Sequence, residues 1–352
     1  MKKLLLLLFL FVGLTNTYGE ENEKKEGKTI GSMLSVLLEH VNLSGYGQFG
    51  YTYNSYDLKD QKPSNTFDIK RIMFIANAEI VKNLTVGFMF DFSSAKLHEY
   101  WGQYRVCDQF TIKGGQFKTP FTIESNLSTA EVEIINGIQS VQYLAGIDPS
   151  DICYGGNAGR DLGIMAFGSF LPYKNRNLME YRIGVFNGQG YNQRDKNRYK
   201  DIVGMLTLQP IKAVSLVGSF YLGHGYAVTD NLFGAFKAGE NYLRNRWSIG
   251  TEIKTKPVYI RAEYLEGKDA IIKSQGAYAV ANIHVHPKWD IIACCDYFDM
   301  NKRADAWQTN YILGAQWNLF RRCRLQAQYI YQDRGKERHG SNVVMTQIQL
   351  GF

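Results

Sequence analysis

NVVMTQIQLGF, at residues 342–352, changes the character of its side chains with a period of two. Val344, Thr346, Ile348, Leu350 and Phe352 fall on one face, and Met345, Gln347, Gln349 and Gly351 on the other, because successive side chains of a strand point to opposite sides. Aliphatics on one face and glutamines on the other suit a wall with lipid outside and water inside.

The same pattern recurs along the chain. Sixteen segments approach the 9–11 residues of a tilted membrane strand, an even count. They are 43–53, 68–80, 84–92, 97–106, 110–118, 159–170, 178–187, 200–208, 214–223, 244–255, 258–266, 274–285, 289–298, 307–318, 324–332 and 342–352. In 307–318, Trp307, Thr309, Tyr311, Leu313, Ala315 and Trp317 face one way and Gln308, Asn310, Gly314, Gln316 and Asn318 the other, with the two tryptophans placed like girdle residues. Connectors alternate in length. Short ones at 82–83, 107–109, 209–213, 256–257 and 286–288 are expected on the periplasmic rim, and long ones at 54–66, 119–158, 188–199, 224–243 and 333–341 on the outer rim. The expected fold is an all-β, antiparallel transmembrane barrel of about 16 strands over 43–352; a soluble sandwich or propeller is the competing architecture.

The start of the chain fits export. Lys2 and Lys3 precede an apolar run at 4–14 and small or polar residues around Thr17 and Gly19, which reads as a cleaved signal peptide over 1–19. That run is shorter than the roughly 20 residues a spanning helix needs. Residues 20–42 open with a charged, flexible stretch and end in an apolar part with helical spacing, far too short for the plug of an active transporter. Fourteen per cent aromatic residues, 34 glycines and only 7 prolines accompany a mean hydropathy of -0.27, as expected where two opposite faces cancel. The formal net charge of +7 is modest, and the five cysteines have no zinc-like or redox spacing.

Strand parity places Arg105, Lys113, Arg182, Arg244, Arg246, Lys254, Arg261 and Arg324 in the lumen, together with Glu99, Glu180, Glu252, Glu263, Asp201, Asp290 and Asp296. Unpaired cations in a narrow passage lower the barrier for anions. A cation bonded to a neighbouring carboxylate merely solvates the wall, so selectivity rests with those left unpaired at the narrowest point. That point is expected at 119–158, a segment too long for an ordinary connector, whose apolar patches at 134–135 and 141–147 call for burial inside the barrel. Lys118 before it and Arg160 after it would bracket the passage.

Gly115-Gln116-Phe117-Lys118-Thr119-Pro120-Phe121, with Glu124 shortly after, resembles the strand-to-loop motif of the phosphate-selective porin O and P family. Arg160-Asp161-Leu162-Gly163 resembles that family's second landmark, Arg71 lies in an early strand as expected, and the chain stops on a phenylalanine, so the likeness spans 43–352. The resemblance implies a sixteen-stranded, homotrimeric outer-membrane porin with a loop-narrowed, anion-favouring channel for solutes such as phosphate or polyphosphate, and assigns Lys118 and Arg160 to it. The loop departs from the family's lysine-rich pattern, since Glu124, Glu131, Glu133, Asp148 and Asp151 predominate. A general or sugar-permeable porin is the alternative.

Other classes have less support. Parity turns His98 outward, and no Gly-x-Ser-x-Gly context accompanies it, so no catalytic residue is assigned and a barrel hydrolase is disfavoured. His284 and His286 share a face without a nearby third ligand, which reads as a rim pair and not a metal site. No cofactor or nucleic-acid partner is expected.

Overall fold

The computed structural model describes residues 41–58, 60–147, 158–230, 233–335 and 338–352. The expected signal peptide, almost all of the 20–42 segment, Asp148, Asp151 and Cys153 lie outside the described residues.

Sixteen antiparallel strands close into one barrel, each bonded to its sequence neighbours, with the first pairing the last. They are β1 Val41–Asp57, β2 Lys62–Val81, β3 Leu84–Asp91, β4 Lys96–Cys107, β5 Phe110–Lys118, β6 Arg160–Tyr173, β7 Arg176–Phe186, β8 Asp201–Ile211, β9 Val214–Tyr226, β10 Asn241–Lys254, β11 Val258–Asp269, β12 Ile272–His286, β13 Trp289–Asp299, β14 Trp307–Phe320, β15 Cys323–Asp333 and β16 Ser341–Gly351. All sixteen expected segments are strands. In β16, Val344 and Leu350 are exposed outward while Met345, Gln347 and Gln349 are buried inward, as the period of two dictates.

Seven connectors of two or three residues form one rim, an eighth at 270–271 lying on the other, and Asn83 closes the first with a φ of 71°, a left-handed conformation that asparagine tolerates. Near this rim Trp289 and Trp317 are register partners whose rings stack 5.5 Å apart. Two expectations are revised. Segment 54–66 is not a loop: β1 and β2 continue outward as a paired hairpin to Asp57 and Lys62, with bulges that break the simple alternation. A bulge near Phe90 also reverses His98, which is buried 3.9 Å from Asp91 and 5.4 Å from the Tyr191 ring instead of facing outward.

The hydrophobic core lies inside the barrel. The long segment after β5 folds inward and carries two short helices, α1 Ile123–Asn126 and α2 Gln139–Leu144. Phe121, Ile138, Val141 and Leu144 are essentially fully buried, packed with Leu265, Tyr278, Val280 and Ile292 of the inner wall. The burial that the apolar patches required is therefore supplied by β9–β16, so the loop lies against one side of the lumen.

Candidate functional site: a cationic passage beside the inserted loop

The glutamines that alternate along β15 and β16 serve the loop more than they serve water. Gln326 and Gln328 both donate to the Glu133 carbonyl, at 3.0 and 2.7 Å, and Gln328 also accepts from the Ile135 amide at 3.1 Å. Gln349 donates to the Ala130 carbonyl and Gln48 of β1 to the Thr129 carbonyl. Irregular backbone inside a barrel must have its polar groups satisfied, and amide side chains, which donate and accept, meet both needs.

Four arginines expected to line the channel are instead buried in ion pairs and hydrogen bonds, three of them with the loop. Arg261 is fully buried, bonded to Glu124 at 2.8 Å and Glu133 at 3.0 Å, both from the loop. Arg244 and Arg246 converge on Asp269 at 3.2 and 2.9 Å, and Arg246 also donates to the Leu144 carbonyl at the end of α2. Arg324 donates to the Val132 carbonyl at 2.9 Å and to Gln316. These guanidiniums are at most 7% exposed; Arg246, Arg261 and Arg324 anchor the loop, and Arg244 is held at the wall by Asp269. Glu263 accepts from the Ile123 amide at 3.1 Å, and Asp296 from the Gln139 amide at 3.0 Å, at the starts of α1 and α2. Burial raises the Glu124 carboxyl above the usual carboxylate range, opposed by Arg261 and the Ile138 amide.

On the other side, between the loop and β3–β7, a cavity of about 360 Å³ remains. Lys113, Lys118, Arg160 and Arg182 line it, with Glu99 as the one carboxylate among the described lining residues. The sequence-predicted residues thus divide: these four gather at one cavity. Arg71 faces Gln48 in register and Arg105 is exposed at the turn rim, bonded to Asp108; neither lines the cavity. Lys118 and Arg160, at the two ends of the loop, are register partners on adjacent strands.

The local sequence explains this arrangement. Gly115 has a φ of 131°, and a Cβ there would lie 2.3 Å from the Tyr100 carbonyl oxygen, so glycine lets β5 approach β4. Phe117, 1% exposed, packs its ring 5.6 Å from that of Phe186, and Thr119 Oγ1 donates to the Gly159 carbonyl where the loop leaves and returns. Thr122 caps α1 by accepting from the Ser125 amide. Lys118 reaches the Leu127 carbonyl, and Arg182 donates to Asn126 at 3.2 Å. Arg160 is held by Glu99 at 2.8 Å, and Lys113 sits 3.7 Å from the Trp101 ring centroid. Trp101 donates to Glu99 and lies over Gly87, where a Cβ would come within 2.3 Å of the indole.

Sequence reasoning missed the rest of the lining. Tyr46, Met89, Asn126, Ser128, Thr129 and Phe167 carried no signal of their own, because their roles arise only when the loop is laid against the wall. His284 bonds Asp290 at 2.6 Å, and the His286 ring accepts from the Lys288 amide.

No protein-family model matches the chain, and no curated protein does. Solved structures do match. OmpT of Vibrio cholerae in a trimer form superposes with a TM-score of 0.61 at 13% identity, covering 89% of this chain and 100% of that one. OprB of Pseudomonas putida gives 0.63 at 11% identity over 94% and 100%, and OmpF of Salmonella typhi in complex with daunomycin gives 0.58 at 11% over 89% and 97%. At these identities the likeness shows the fold: this chain has the closed sixteen-stranded barrel of bacterial outer-membrane, porin-type proteins.

Proposed function

We propose that the protein is an outer-membrane diffusion porin for small anions, with Lys113, Lys118, Arg160 and Arg182 as the channel-lining cations. The observation that carries this reading is the cavity in which four cations face one carboxylate. Glu99 is engaged by Arg160, which leaves a cationic surplus along β5, β6 and β7 to lower the barrier for a partly dehydrated anion. Inorganic phosphate fits that chemistry, and membership of the phosphate-selective porin family is proposed on the motif around Lys118 together with this surplus. A trimer is proposed by analogy with the trimer form of OmpT. Passage is passive and no catalytic group is assigned: the Ser93 and Ser94 hydroxyls donate to Asp91 at 2.8 and 2.9 Å, leaving neither oriented on His98 as a base.

A general or sugar-permeable porin is favoured by a different observation, the burial of Arg244, Arg246, Arg261 and Arg324 away from the cavity. The deciding experiment is the single-channel reversal potential in a potassium chloride gradient, with and without phosphate, for the intact protein and Lys118→Glu. Anion preference with phosphate block, both lost in the variant, supports the anion reading. Conductance without ion preference assigns a general porin, and no conductance overturns the porin reading.

A further inference from the structure

The seven short connectors of the turn rim share a feature unrelated to the passage. Six of them place a cation at the turn: Lys82, Lys174, Lys212, Lys256, Lys288 and Arg321, all exposed. Asp108, in the seventh, is the one acidic residue of these turns among the described residues, and Arg105 already holds it. The opposite rim is mixed in sign, with Lys200 bonded to Asp195 and Lys237 close in sequence to Glu240.

Five of the six cations have an exposed large hydrophobic residue as their immediate neighbour: Val81, Tyr173, Ile211, Trp289 and Phe320. Phe320 is 75% exposed, and the stacked pair of Trp289 and Trp317 lies in the same band. An outward apolar side chain at the barrel edge marks the limit of the hydrocarbon, and aromatic residues favour the interface. A lysine one residue further on sits at headgroup depth, with its stem along the apolar edge and its ammonium at the phosphate level.

We propose that the turn rim is a collar that binds the phosphate groups of anionic phospholipids in the adjoining leaflet. With a cation at six of the seven turns around the barrel, recognition is distributed and each contact is weak. An anionic glycan beneath the membrane would also meet positive charge, but it would have no use for the apolar neighbour that accompanies five of the six cations. This inference does not depend on the solute that passes through the lumen.

The test is quenching of tryptophan fluorescence in phosphatidylcholine vesicles holding a fixed fraction of brominated phosphatidylglycerol or brominated phosphatidylcholine. The full-length chain is compared with the variant carrying Lys82→Gln, Lys174→Gln, Lys212→Gln, Lys256→Gln, Lys288→Gln and Arg321→Gln together. Trp289 and Trp317 report on this rim. The intact protein is expected to favour the brominated anionic lipid by roughly two- to fivefold over the zwitterionic one, as charges near an anionic surface allow. That excess disappears in the variant, while quenching by brominated phosphatidylcholine stays unchanged and shows that the barrel is intact. A salt titration of the unmodified protein, in which the excess falls as salt rises, gives the same answer without mutation. Equal quenching by the two lipids, or an excess that survives in the variant and in high salt, overturns the proposal. Equal quenching combined with salt-sensitive sedimentation on an anionic glycan that the variant loses would assign the collar to a glycan instead.

Discussion

Lys118 and Arg160 stand side by side as register partners on β5 and β6, and both line the same cavity. Like charges opposite one another across a strand pair cost stability, and on the proposed function an anion between them would relieve that cost. Glu99 pairs with Arg160 at 2.8 Å, which leaves Lys113, Lys118 and Arg182 as lining cations with no ion-pair partner among the described residues.

Arg182 lies one strand further round and is held by Asn126, without a carboxylate among its hydrogen-bond partners. Arg182→Gln should reduce the anion preference of the reversal potential without abolishing it, by less than Lys118→Glu does. An unchanged reversal potential would remove Arg182 from the passage.

Arg261 joins Glu124 and Glu133 of the loop to the wall with no exposed surface. Removing one member of a buried ion group leaves uncompensated charge and costs about 3–5 kcal/mol. Arg261→Ala is therefore expected to release the loop, seen as protease cleavage within 119–147 and as a larger, noisier conductance. A loop that stays protected would show that apolar packing alone holds it.

Gly267 lies under Leu144, and a Cβ there would come within 2.5 Å of the leucine Cδ2. Gly267→Val should push α2 off the wall and narrow the passage, whereas Leu144→Ala should cost about 2–5 kcal/mol by leaving a void. Lower conductance in the first and easier thermal unfolding in the second, followed by loss of the folded band on unheated gels, would check the pair.

Cys107 is exposed at the turn rim and Cys294 is buried inside the wall. In cells carrying Cys107 as the only cysteine, an impermeant maleimide should label the protein only after the outer membrane is opened. Labelling of intact cells would invert the assigned orientation.

The wall was legible because its signal is local: a period of two, a length set by the bilayer, and connectors of alternating length fix each strand without knowledge of its neighbours. The inward loop was legible too, since apolar residues such as Ile134 and Val141 have no stable place on a surface. The side of the lumen it covers depends on pairings more than a hundred residues apart, such as Gln139 with Asp296. For that reason parity could place Arg246, Arg261 and Arg324 on the inner face and could not say that the loop would bond to them. His98 failed for a different cause, a bulge, which shifts alternation by one residue and leaves no mark in composition.

The pairing of β1 with β16, in register from Tyr46 opposite Gly351 to Asn54 opposite Val343, carries a consequence for biogenesis. The edge of β1 has no hydrogen-bonding partner until β16 arrives, so through most of assembly the sheet presents two open edges able to pair with another chain. Its loop anchors are split across the same seam, since Gln48 of β1 and Gln349 of β16 bond to each other at 2.7 Å and to the neighbouring carbonyls of Thr129 and Ala130. Sealing the wall thus completes the last two of these anchors, and a barrel caught before that step would be sticky at its edges and hold its loop only from the far wall.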